Sequence, residues 1–109
     1  MPRTPIGARR RRFVLELPQD APDGFGGVHR TFAAGPLLWG AIEHLGTTER
    51  LRADRPELAA THRVTLRHRT GVTGAMRLAL GPRRFLIRSA ADPDGRARSL
   101  VCLVEEISP

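Results

Sequence analysis

Apolar and polar residues alternate through THRVTLRHRTGV, residues 61–72. Val64 and Leu66 share one parity with His62 and His68; Arg63, Thr65, Arg67 and Arg69 share the other. A period of two marks a strand with one face in a core. The same pattern recurs on both sides. In RRFVLEL, Phe13, Leu15 and Leu17 fall on one side, which predicts a strand. PQDAPDGFGG, residues 18–27, is dense in Pro, Asp and Gly and reads as a loop. VHRTF makes a short strand. In PLLWGAIEHL, Leu37, Trp39 and Ala41 alternate with Leu38 and Ile42, which favours strand over helix. Strands are expected at 63–69, 76–80 and 84–89, joined by TGVTGA and GPR as turns. ADPDGRA is a further turn, and LVCLVEEI closes the chain. That last stretch is apolar at successive positions, which predicts cover on both faces.

The helical candidate is TTERLRADRPELAAT. Thr47 or Thr48 can cap it, and Glu49 lies in the first turn, where the helix dipole favours an acid. Pro56 forbids one uninterrupted helix. The reading is mainly β: a small β-barrel of about six strands with one short helix. A flexible basic N-terminal arm covers residues 1–10, and a single domain covers residues 11–109.

With 109 residues the chain can bury a core without metal or disulfide staples. Nothing in it approaches the roughly 18 consecutive apolar residues of a membrane span. No apolar run follows the N-terminal arginines, which argues against a secretory signal. The single cysteine, Cys102, excludes an internal disulfide and reads as a small buried hydrophobe.

Charge changes the picture. All 18 basic residues are arginine and the net charge is +7. Codon bias is the simpler explanation of the absence of lysine; the alternative is selection for bidentate recognition. Neither explains placement. Residues 1–12 carry +5, 13–60 carry −3, 61–91 carry +7 and 92–109 carry −2. If the three middle strands form a meander, Val64, Leu66, Leu78, Leu80, Phe85 and Ile87 point inward. Arg63, Arg67, Arg69, Arg77, Arg84 and Arg88 then share the outer face. Like charges side by side on a sheet destabilise it. Acids of the same domain, acids of a neighbouring subunit, or phosphates would offset them.

No catalytic set is legible. His29, His44, His62 and His68 lack metal-ligand spacing. His62 and His68 would lie about 20 Å apart on one strand, and all four read as surface or interface histidines. Asp92-Pro-Asp94-Gly95 lacks the rest of a calcium loop, and GFGG precedes no Lys-Ser/Thr helix. The chain is read as non-enzymatic, with no cofactor and no metal.

The order of these features is similar to one family. A double glycine (Gly26, Gly27) precedes a strand with Trp39, Ala41, Ile42 and Glu43, and Glu49 opens a helix. Thr61, His62, Val64, Leu66, Arg67, Arg69, Gly71 and Val72 form the most specific block, followed by Arg77, Gly81, Arg84, Phe85 and Ile87. This resembles the phage head–tail joining family, the head-closure or stopper proteins of tailed phages and gene transfer agents. The resemblance spans residues 9–106. His44 stands where the family has proline, and Gly40 is inserted between Trp39 and Ala41.

The resemblance implies a small β-barrel assembled as a homo-oligomeric ring in the particle neck, put together in the bacterial cytoplasm. It would lie between a portal-bound adaptor and the tail terminator or tail tube. There it would retain packaged double-stranded DNA and form its exit channel. On this reading Arg63, Arg67, Arg69 and Arg77 pair with Glu43, Glu49, Glu105 or Glu106 across subunits or with neck partners. Arg9, Arg10, Arg11 and Arg12 of the arm contact a partner. Residues 45–60, with Thr47, Thr48, Glu49, Arg50, Arg52 and Arg55, line or narrow the channel. The alternative is a free nucleic-acid-binding β-barrel. It is disfavoured by the five aromatics and by a net charge of only +2 outside residues 1–12.

Overall fold

The computed structural model describes residues 10–46 and 60–107. The helical candidate at 47–61, with Thr47, Thr48, Glu49, Arg50, Arg52 and Arg55, falls mostly outside the described residues, as do Arg9 and most of the arm. The described residues are mainly β, with no helix among them. Six strands follow one another: β1 (Arg11–Pro22), β2 (Val28–His44), β3 (His62–Arg67), β4 (Arg77–Leu80), β5 (Arg83–Ala91) and β6 (Ser99–Ile107). All neighbours are antiparallel, and their hydrogen bonds run round a closed ring in the order β1-β2-β3-β6-β5-β4.

The predicted inward parity forms the core. Phe13, Val64, Leu78, Phe85, Ile87, Cys102 and Val104 are fully buried, with Leu15, Leu66 and Leu100 beside them. Leu17 and Leu80 pack at the margin. Along β6 the inner positions are buried, while Val101 and Leu103 on the outer side remain half-buried. Cover on both faces was expected there, but no second layer lies over the ring among the described residues. The β4–β5 turn is Gly81-Pro82. Gly81 has φ +58, at the place where a II′ hairpin turn needs glycine. Gly40 faces inward opposite Leu66. A Cβ there would lie 2.6 Å from Leu66 Cδ2 and 2.7 Å from the Thr65 carbonyl oxygen. Gly40 is thus the residue that lets β2 close on β3.

Two expected boundaries are corrected. The residues read as a loop from Pro18 belong to β1 as far as Pro22, and the two short strands read after Gly27 are one long β2. Beyond the ring, β1 and β2 continue as a two-stranded ribbon, pairing Leu17–Ala33 out to Pro22–Val28. Each ribbon strand has one open edge, so Pro18 and Pro22 forfeit no ladder hydrogen bond that a second neighbour would need. Between the Val14–Leu37 and Glu16–Ala34 pairs, β2 spends an extra residue at Gly35-Pro36. This bulge is the break that divided the strand in the sequence reading.

Candidate functional site

Antiparallel closure answers the question of the arginine face. It lays the basic stretch, residues 61–91, against the acidic segments on either side of it in the sequence. Arg63 on β3 stands directly opposite Glu43 on β2, with Nη1 donating to Oε1 at 2.7 Å. Arg77 on β4 stands opposite Glu16 on β1 and donates to it. The Arg84 Nε lies 3.4 Å from the same Glu16 oxygen. Arg83 grips Glu106 with two bonds, 2.8 and 3.0 Å, which hold the Glu106 carboxyl below its ordinary value. Arg88 Nε donates to Glu105 at 3.0 Å. Opposite charges in register on a sheet each stabilise by roughly 0.2–1 kcal/mol.

Within the chain Arg63 and Arg77 are paired with Glu43 and Glu16, and Glu105 and Glu106 are engaged by Arg88 and Arg83. The sequence reading admitted acids of the same domain as one source of compensation. It lacked the register that selects them.

What remains is a smaller set. Among the described residues, Arg10, Arg11, Arg12, Arg67, Arg69 and Arg96 have no acidic partner. Arg11 and Arg12 open β1 and so lie on the sheet. Arg12 stands opposite Trp39 with its guanidinium carbon 5.9 Å from the indole centroid. The register of β2 on β3 ends at Gly40–Leu66. One step further sets Trp39 beside Arg67. Leu37 and Trp39, each 51% exposed, thus form an apolar strip on the outer face between these two arginines. Alternation had placed Leu37, Trp39 and Ala41 on one side of a strand. It carries no information on which side faces the core.

The ribbon ends in a defined turn. Asp23 Oδ1 accepts from the amides of Phe25 at 2.7 Å and Gly27 at 3.0 Å, and the Asp23 amide donates to the Gly27 carbonyl at 3.1 Å. Gly24 and Gly26 both take φ +84. This turn holds Phe25 95% exposed, next to Val28 at 67%. At the ribbon base, the Arg77 guanidinium lies 3.9 Å from the Phe32 ring centroid while it also holds Glu16. Halfway out, Arg30 clasps Asp20 at 2.7 and 3.0 Å, and this pair holds the Asp20 carboxyl below its ordinary value.

His62 corrects another expectation. Read as a surface or interface histidine, it is buried at the opposite end of the ring. Its ring stands edge-on to His44 at 5.0 Å and to Phe85 at 5.3 Å. Nδ1 is 2.8 Å from Thr61 Oγ1, which in turn accepts from the Glu106 amide at 2.8 Å. These neighbours come from distant parts of the chain, so no local pattern announces them. Burial pushes the Cys102 thiol up to about 12, so it is inert as a nucleophile at neutral pH. No group of three metal-ligating side chains occurs among the described residues.

The sequence profile described as phage head completion protein matches residues 4–107. The solution structure of protein SF1141 from Shigella flexneri 2a is similar, with TM-score 0.72 and 26% identity, over 94% of this chain and 96% of that one. A chain from the virion of a native gene transfer agent particle superposes with TM-score 0.68 at 24% identity, over 91% of this chain and 96% of that one, a likeness of fold. No curated protein sequence matches.

Proposed function

The chain belongs to the phage head completion protein family, and on that premise we propose that it is a structural component of a virion neck that works as a ring. The ring closes the filled head, retains the packaged double-stranded DNA and forms the passage for its exit. Its neighbours are a portal-bound adaptor on one side and the tail terminator or tail tube on the other. The observation that carries this reading is the family match over residues 4–107. The closed six-stranded ring supports it: a rigid body with an apolar strip and a protruding ribbon suits a part that is held by contacts with other proteins.

The arginine pairing weighs against a free nucleic-acid-binding barrel. Arg63, Arg77, Arg83, Arg84 and Arg88 are engaged by carboxylates of the same chain. Phosphates would have to compete with those acids, and a phosphate-driven interface depends on free cationic groups.

The test is removal of the gene from a particle-producing host. The expected result is heads that package DNA and then lose it, with tails unattached, and rescue by the intact gene. Tailed, DNA-filled particles produced at the normal number without the chain would refute the neck role.

A further inference from the structure

Among the described residues, four large apolar side chains are exposed, and they form two patches: Phe25 with Val28 at the ribbon tip, and Leu37 with Trp39 on the outer face of β2. Each patch has a charged companion of opposite sign. At the tip, Asp23 uses Oδ1 for the turn, and its Oδ2 has no hydrogen-bond partner among the described residues. At the strip, Arg12 and Arg67 lack an acidic partner among the described residues. One patch is apolar and acidic, the other apolar and basic. Exposed aromatic residues flanked by arginine are the usual composition of an interface centre.

The two patches cannot meet within one molecule. Val28 and Leu37 are nine residues apart on a strand that β1 pins along its length. That separation is about 30 Å at strand rise. The turn that presents Phe25 is closed by its own hydrogen bonds, so the tip does not fold back. A complement on a different surface of the same chain describes a heterologous contact, the kind that makes rings when the rotation closes.

We propose that the ribbon tip of one copy docks on the Leu37–Trp39 strip of the next, with Phe25 against Trp39 and Asp23 facing Arg67 and Arg12. This rests on the ring reading and specifies its joint. The ribbon protrudes because its target lies on another molecule, and Trp39 is exposed because the neighbour's tip covers it.

The test is a cross-link between copies of the full chain. The double variant F25C/W39C should form a disulfide-linked ladder on oxidation, with linked peptides joining positions 25 and 39. The buried Cys102 takes no part. Each single variant should give dimers at most. In parallel, F25D should keep its melting temperature and lose multimer formation at least tenfold. Oxidised double variant that stays monomeric, or links only 25 to 25 or 39 to 39, overturns the proposal. Wild-type content of purified particles is read separately. Wild-type chain present in necks, with a double variant that forms no 25–39 link, sinks the joint and leaves the ring standing. Its absence from particles sinks the neck role, and the link in isolated protein still decides the joint.

Discussion

The closed ring and the protruding ribbon are made of the same two strands, β1 and β2, and they are held by different forces. Inside the ring, Phe13 and Leu15 are buried against Val64, Leu78, Phe85 and Val104. In the ribbon, Leu17 is the last residue of β1 to touch that core. Beyond it the strands have only each other, and a two-stranded hairpin on its own is marginal in water. Three polar devices replace the core: Arg77 on Glu16 and Phe32 at the base, Arg30 on Asp20 in the middle, and the Asp23 turn at the tip. A segment with so little apolar burial persists where it has something to reach. The ring is stability; the ribbon is reach.

The largest effect should come from emptying the ring. Phe85 is fully buried at the centre of the core and touches His62. Phe85→Ala should cost about 3–5 kcal/mol, read from urea denaturation of the purified chain. Because the ribbon borrows its order from the ring, its amides should lose protection from exchange together with those of the ring. A variant whose ribbon stays protected while the ring unfolds would show that the two are independent.

The junction comes next. Glu16 is only 13% exposed and serves two arginines, Arg77 and Arg84. Glu16→Gln keeps the shape and removes the charge, leaving two guanidinium groups against a neutral amide. A loss of about 1–3 kcal/mol is expected. Arg77→Ala should act more locally, because it frees Phe32 from its cation and unties the ribbon base. The expected outcome is faster hydrogen exchange at residues 28–33 with the amides of β5 and β6 unchanged. Equal acceleration everywhere would mean that Arg77 braces the ring and not the ribbon.

The two regions also differed in how well the sequence disclosed them. The ring follows from alternation: Phe13, Leu15, Val64, Leu66, Phe85 and Ile87 are legible as one face because a core demands period two. The ribbon is not. Its prolines, Pro18 and Pro22, look like loop signals, and they are tolerated only because an edge is free, which is a tertiary fact. Gly35-Pro36 lay between two stretches read as separate strands and is a bulge within one. The arginine face was legible as a charge problem. Its solution lay in register, since Glu43 faces Arg63 and Glu16 faces Arg77 only once the sheet has closed. Trp39 was visible as an apolar residue on a strand. Its exposure follows from which parity the core claimed.

A smaller gain is available in the loop between β5 and β6. Ala97 has φ +55, held there by its amide donating to Asp92 Oδ2 at 2.7 Å. A residue with a Cβ is strained in that conformation by roughly 1–2 kcal/mol. Part of that is offset because glycine gains freedom in the unfolded chain. Ala97→Gly should therefore raise stability by about 0.5–1 kcal/mol. Because the loop belongs to the ring, the gain should appear in global unfolding and leave the exchange rates of the ribbon tip as they were.

The smallest effect separates the regions by pH. Arg30 holds the Asp20 carboxyl below its ordinary value in the ribbon; Arg83 does the same for Glu106, and Arg98 for Asp94, in the ring. A carboxyl held low in the folded state stabilises it above the ordinary carboxylate range, and that contribution fades as pH falls through the lowered value. All three carboxylates are near the surface, so the contributions are modest and salt screens them. The share of these three carboxylates should thus be flat from neutrality down to about pH 5 and decline below about pH 4, less steeply in molar salt. Arg30→Gln removes the ribbon's share alone. Its ribbon amides, corrected for intrinsic exchange, should become less acid-sensitive, while the melting temperature of the whole domain still falls with acid as in the wild type. If instead the variant's melting curve becomes flat with pH, the Asp20–Arg30 clasp contributes to the ring, and the division between the two regions fails at that point.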